Sequence, residues 1–297
     1  MISPLVRRKR LAKELRQLRD DAGLSSSQLA ARARLNRQKI SMLENGHPFT
    51  NVADVAAVLT ALELPEPRWH ELFQIADEAT KSGWWESYRD GLGGRQIVYV
   101  NLESGAATVR EYNLFVVPGV LQTPEYIRPR GELTAYQWQQ AGKGRYDIDR
   151  AVAARVMRQQ VLRRPGGPSY HAILDELVIR RAAASPGVMA RQLRTLAEAS
   201  TADGRASVRV LPIVADLGDL WLPRSPFSLY TYPDSGDPTV AVVDTEIEDY
   251  VYIEESEVRP YLELWSRLEK AALSVDESAR FLAEQADHFA KAAERKS

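Results

Sequence analysis

Arg37, Gln38, Ser41 and Met42 lie within one short stretch of the 297-residue chain, and their side chains match what duplex DNA displays in its major groove. A Gln bonds adenine through two contacts, an Arg reaches the O6/N7 edge of guanine, a Ser donates or accepts, and a Met meets the thymine methyl. Spacing decides whether they act together. At about 100° per residue, with Ile40 at zero, Leu43 falls near 300° and Glu44 near 40°, whereas Ser41, Asn45, Gln38 and Met42 fall near 100°, 140°, 160° and 200°. The first three mark the inward side of a helix and the last four its outward side. Arg37 stands in the first turn on one flank, long enough for a guanine or a phosphate, and Lys39 on the other flank suits a phosphate. Ser26 and Ser27 open a preceding helix, where hydroxyls and free backbone N–H groups attract an anion such as the DNA backbone. Arg7, Arg8, Lys9 and Arg10 form a basic lead-in. If roughly six phosphates are neutralised, the log–log dependence of affinity on salt has a slope of about −5.

Those side chains need a frame, and residues 1–80 have the pattern of five helices. Leu11, Leu15 and Leu18 share one face of a helix over 8–22, which Gly23 ends. Ser25 with Gln28 forms a capping box for a second helix reaching about residue 33. After the turn at Arg34-Leu35, Asn36 caps a third helix over 37–44, and Asn45-Gly46 stops it. Val52, Val55, Leu59 and Leu62 line a fourth helix. Pro65 and Pro67 precede a fifth over 68–79, with Trp69, Leu72, Phe73 and Ile75 as its core side. Two short helices joined by a three- to four-residue turn form the helix-turn-helix arrangement that lays the second helix in a major groove. The alternative is a helical bundle whose polar face meets only water.

Charge divides along the chain. Residues 1–60 carry 11 Lys and Arg against 5 Asp and Glu, while the rest carry 28 against 35, so a basic head precedes an acidic body despite a net charge of −1. The absence of cysteine excludes disulfides, thiolate catalysis and cysteine-held metal, and fits a reducing compartment. No apolar run approaches the roughly 18 residues that span a bilayer, which predicts a cytoplasmic protein without a membrane partner.

The stretches Gly23-Leu24-Ser25, Gln28-Leu29-Ala30, Asn36-Arg37, Ile40-Ser41 and Leu43-Glu44-Asn45-Gly46 resemble the five-helix DNA-binding domain of the phage-repressor-like (Cro/C1, XRE) family. The resemblance implies that Arg37, Gln38, Ser41 and Met42 occupy base-reading positions, with Ser26, Lys39 and Asn45 nearer the backbone. Members of that family usually carry Gln where this chain has Ser26, which implies a shorter or water-mediated backbone contact. It also implies a homodimer on a pseudo-palindromic operator, since such heads bind half-sites one helical turn apart.

Lys81-Ser82-Gly83 breaks the helical periodicity, placing a DNA-binding domain over 1–81 and a larger domain over 84–297. The latter mixes helical patterns (102–112, 148–162, 188–199, 258–272, 275–292) with β-rich runs (170–174, 208–213, 227–232, 240–243, 250–253). The expected fold is α+β overall, an all-α head followed by a mixed domain without regular βαβ winding. The capping box Ser274/Glu277 and the stripe Ala279, Leu282, Ala286, Phe289 mark a last helix that docks on the body or on a second subunit. Trp84-Trp85, Tyr88-Arg89, Glu111-Tyr112, the run from Val117 to Thr123, Tyr126, Leu174-Asp175-Glu176, Arg180-Arg181, Val210-Leu211-Pro212 and Pro226-Phe227 resemble the DUF5753 domain attached to such heads in actinobacterial regulators. The resemblance implies regulation of development or antibiotic production, in some cases an antitoxin-like role with a small DUF397-type protein as partner.

A ligand or partner pocket could be lined by Trp84, Trp85, Val117, Leu121 and Tyr126 and oriented by Arg89, Glu111 and Gln122, although the same aromatics suit an ordinary core. The run from residue 244 to 257 holds seven carboxylates and no Lys or Arg, as a solvated face does, or as a surface docking a basic partner or the head itself would. Catalysis lacks a seat. His70-Glu71 starts a HExxH pattern, but Gln74 stands where the second His belongs, and His47, His70, His171 and His288 have no ligand spacing, so neither metal nor cofactor is expected. Gly142-Lys143-Gly144 and Gly91-Leu92-Gly93-Gly94 do not complete phosphate loops, and there is no GxSxG elbow.

Overall fold

The computed structural model describes residues 2–49, 51–140, 146–199, 205–218, 223–245 and 248–295; Gly142-Lys143-Gly144 and part of the acidic run lie outside them. The helices are α1 (Pro4–Asp21), α2 (Ser26–Ala33), α3 (Arg37–Glu44), α4 (Val52–Ala61), α5 (Glu66–Thr80), α6 (Arg89–Gly105), α7 (Pro124–Gln140), α8 (Ile148–Arg163), α9 (Glu176–Arg180), α10 (Pro186–Ala199), α11 (Glu255–Ala271) and α12 (Val275–Glu294). The strands are β1 (Thr108–Asn113), β2 (Ser169–Asp175), β3 (Ala206–Leu211), β4 (Phe227–Thr231), β5 (Val240–Asp244) and β6 (Asp249–Tyr252). An all-helical head is thus followed by an α+β body.

The chain divides into two compact units. The first comprises residues 1–86 together with 98–106 and 232–238, and the second comprises 87–97, 107–231 and 239–297. The head therefore extends past residue 81 and includes two segments that sequence reasoning assigns to the body. Its core gathers Leu11, Leu15, Leu29, Ile40, Leu43, Val55, Val58, Leu59, Leu72 and Ile75, one apolar stripe from each of its five helices. Leu62 and Trp69 pack on it only partly buried. The borrowed segment from α6 closes the far side: Asn101 accepts from the Ser3 hydroxyl at 2.9 Å and from the Leu5 amide at 3.0 Å, and Tyr232 donates to the Leu102 carbonyl at 3.3 Å.

The second unit is built on one six-stranded sheet in the order β3-β2-β1-β4-β5-β6. The three strands β3, β2 and β1 are parallel, with Thr108 opposite Ser169 and Tyr170 opposite Ala206, and helices lie between them in sequence. That half is wound as βαβ, contrary to the expectation. The other half is antiparallel, with Tyr112 opposite Phe227, Phe227 opposite Val243 and Asp244 opposite Asp249. Tyr112, Phe227, Trp265 and Leu268 anchor its core. The last helix, α12, packs along α10 and against β3, so its stripe is used within the body.

One element expectation fails in an instructive way. Residues 102–112, read as one helix, are the end of α6 and the strand β1. Val109 and Tyr112 are three apart, as on a helix face, but both are buried in a strand paired on each side, and such long-range pairing overrides the local pattern. Gly91-Leu92-Gly93-Gly94 lies inside α6 although each Gly disfavours a helix by about 1 kcal/mol.

At the β5–β6 turn, Arg95 bonds both Asp244 and Asp249, the latter at 2.6 Å. Burial, and next the Asp249 carboxylate, push the Asp244 carboxyl up to about 6. An unfolded aspartate titrates near 3.9, so between about pH 4 and 6 the folded chain holds a proton that the unfolded chain has lost. This group's contribution to stability is present at the acid end of that window and is lost as pH rises through it. Thermal unfolding of Asp244→Asn is expected to rise less steeply than that of the parent on going from pH 7.5 to 5. Parallel pH profiles of the two proteins would refute the assignment.

Candidate nucleic-acid interface

The frame of the head forms as its local signals require. Ser25 and Gln28 make both bonds of the capping box, and Arg34, at φ 55°, closes α2 as the Leu35 amide returns to the Ala30 carbonyl at 2.9 Å. The Asn36 side chain accepts from the Lys39 amide at 2.8 Å and starts α3. Gly46, at φ 67°, turns the chain after it, and its missing side chain leaves space for Lys9 and the Arg8 carbonyl.

Ile40, Leu43 and Glu44 are the buried residues of α3. Gln38, Ser41, Met42 and Asn45 are exposed, as the wheel predicts, Arg37 is exposed on its flank, and Met42 is an apolar side chain left at the surface. Ser27 is exposed at the start of α2. Three residues placed near the DNA backbone have internal partners. Ser26 is half-buried, 3.5 Å from Glu44; Lys39 pairs with Asp54 at 2.9 Å; and the Asn45 amide donates to the Ser41 carbonyl at 2.7 Å and to its hydroxyl at 3.2 Å.

Glu44 fixes this surface to the rest of the head. Its carboxylate accepts from Arg19 Nε at 2.6 Å, with the two side chains only 9% and 14% exposed, and its carbonyl accepts from Arg16 at 2.6 Å. The last two turns of α1 thereby hold the C-terminal end of α3. Sequence reasoning places Glu44 on the inward side without naming a partner, yet a carboxylate on a buried face demands a cation.

The basic lead-in is not free. Arg7 pairs with Glu78, Asp234 and Asp237 at 2.8–2.9 Å, Arg10 with Asp234 at 2.8 Å and Glu71 at 3.2 Å, and Arg8 donates to the Ala79 carbonyl at 3.2 Å. Three of the four lead-in cations thus have partners inside the unit, so if they keep them on DNA the salt slope should be shallower than −5.

The candidate pocket residues are divided between the two units. Trp84 and Trp85 fall in the first unit, with Trp85 buried; Arg89, Glu111, Val117, Leu121, Gln122 and Tyr126 fall in the second. There, Val117, Leu121 and Tyr126 are core, and Arg89 is exposed. Glu111 accepts from Tyr170 at 2.5 Å. Gln122 donates to the Val117 carbonyl at 2.7 Å, so it braces its own loop. Gln192, fully buried, donates to the Leu121 carbonyl at 2.8 Å and accepts from the Thr123 amide at 2.7 Å. Gln192→Leu should cost about 1–3 kcal/mol for each backbone group it strands, read as a lower urea midpoint, and an unchanged midpoint would remove its bracing role.

A short turn joining two capped helices, the second with a polar outer face and a buried ionic anchor, defines a helix-turn-helix domain, the class of module that presents a helix to duplex DNA. Family comparison agrees, matching a helix-turn-helix domain over residues 10–72 and the domain of unknown function DUF5753 over 96–284. The chain belongs to the DUF5753 family, with a helix-turn-helix head. A curated relative, a putative glutamate–cysteine ligase 2-3 from Mycolicibacterium smegmatis, is 38% identical over 81 residues, which cover 26% of this chain and 22% of that protein. The chain thus spans about a fifth of that relative's length. No solved structure matches. No helix among the described residues is long and apolar enough to cross a membrane.

Proposed function

We propose that the chain is a sequence-specific, non-catalytic transcriptional regulator that binds a pseudo-palindromic operator as a homodimer in the cytoplasm. The observation carrying this reading is the outer face of α3, where Arg37, Gln38, Ser41 and Met42 stand exposed on a helix locked from behind by Glu44. Ser27 and the N-terminal end of α2 supply a backbone contact, while Ser26, Lys39 and Asn45 can serve phosphates only by exchanging their present partners. The body acts as sensor or partner platform. Selection of bound fragments from a random duplex library, followed by footprinting, tests this: two related half-sites about one helical turn apart are expected, and a single protected half-site would contradict the dimer.

A second reading is favoured by one surface of the body. Phe115, Leu177, Ile213 and Val214 follow the carboxyl ends of β1, β2 and β3, and all are exposed, Val214 by 90%. Such a group fits an antitoxin-like role in which a small DUF397-type protein is the main partner and DNA binding serves autoregulation. Val214→Asp with Ile213→Asp should then abolish regulation in cells while operator binding persists, whereas Arg37→Ala with Gln38→Ala should abolish it under the first reading.

A further inference from the structure

The head contains an ionic cluster with no counterpart among the groups facing DNA. Arg7 and Arg10, one turn apart on α1 and each about 10% exposed, converge on Asp234 and Asp237 in the loop between β4 and β5. The loop is shaped for this. Asp234 accepts from the Gly236 amide at 2.9 Å, and the Asp237 amide returns to the Asp234 carbonyl at 3.0 Å. At Gly236 an added Cβ would lie 2.5 Å from the Arg10 guanidinium, so any larger residue there must displace that group. The bond from Arg7, then the Gly236 amide, hold the Asp234 carboxyl well below the usual carboxylate range, while burial raises that of Asp237.

Helix α1 is therefore gripped at both ends. Its first half is held by Asp234, Asp237, Glu71 and Glu78, and its second half holds α3 through Arg16 and Arg19. We propose that Asp234 and Asp237 are positioning residues for DNA recognition: by fixing α1 through Arg7 and Arg10, they set the pose of α3. The proposal rests on the DNA-binding reading of α3. The loop continues directly into β4 and β5, so any change in those strands has a covalent route to the cluster.

Simple electrostatics predicts the opposite sign. Removing two carboxylates from a DNA-binding unit should strengthen attraction to phosphates. The test uses the full chain and a duplex selected by the parent protein, against a scrambled duplex at the same salt. Asp234→Asn with Asp237→Asn is expected to weaken specific binding at least tenfold, leave or slightly raise non-specific binding, and speed hydrogen exchange of the first half of α1. A loss of folded protein would lower both affinities alike, so the ratio separates positioning from unfolding. Gly236→Ala, which keeps every charge but displaces Arg10, should lower the same ratio. If the parent discriminates between the duplexes while both variants keep its ratio and its α1 protection, the positioning role is overturned. If the parent itself does not discriminate, the DNA-binding reading fails instead.

Discussion

Arg37→Ala and Gln38→Ala are each expected to weaken binding to the selected duplex by about 1–3 kcal/mol, roughly 5- to 150-fold, while the fold stays intact. Both side chains are exposed on α3, so truncation strands no buried group and stability should move by no more than about 0.5 kcal/mol. The two differ in signature. Arg37 carries a charge, so its loss lowers the salt slope by up to about one if it touches a phosphate, whereas loss of Gln38 leaves the slope unchanged and relaxes the preference at one base position. Because the residues are adjacent, their effects need not add, and the double variant measures the coupling. Titrations with the selected duplex at several salt concentrations read both quantities. Retention of full affinity and full base preference by the double variant would place recognition elsewhere.

Breaking the anchor behind that surface should do the most damage to the fold. Glu44→Ala leaves Arg19 charged, nearly buried and with only the exposed Asp20 carboxylate and the Leu24 carbonyl as partners, and removing one member of a buried pair costs about 3–5 kcal/mol. Ser26 would lose the carboxylate 3.5 Å from its hydroxyl as well. Replacing both members with apolar residues, Arg19→Met with Glu44→Leu, should be markedly milder, since no lone charge remains. Urea unfolding of the two single variants and the double gives the cycle. A single-variant cost below about 1 kcal/mol would show that the pair behaves as an exposed one and does not anchor α3.

The contrast between what could be read from sequence and what could not follows the range of the interactions. The caps at Ser25, Asn36 and Ser274 use partners three residues away and are legible as residue types at fixed spacing. The inward face of α3 is legible for the same reason. Strand β1 is not, because it is defined by partners 61 residues and more away, Ser169 on one side and Thr231 on the other, while its own apolar spacing imitates a helix. Residues 89–101 of α6 and all of α7 fall outside the expected helical patterns, and they contain Gly93-Gly94 and Pro129, residue types that disfavour a helix.

The site divides in the same way. Exposure of Gln38 or Ser41 follows from periodicity, but the fate of a charge depends on what faces it. Arg7 and Arg10 look like free cations beside the head and are neutralised by carboxylates more than 220 positions along the chain. Gln122, Leu121 and Tyr126 are buried, and the amide of Gln192, some 70 residues on, bonds the backbone of Leu121 and Thr123, a partner that no local spacing announces. Only Glu44 gave notice in advance, as a carboxylate on a face that water does not reach.

The most direct measurement is the dissociation constant of the purified full chain for its selected duplex and for a scrambled duplex of equal length, at one physiological salt concentration. Recognition by α3 predicts that the selected duplex binds at least about a thousandfold more tightly. Equal affinity for both, persisting at low salt, would contradict it.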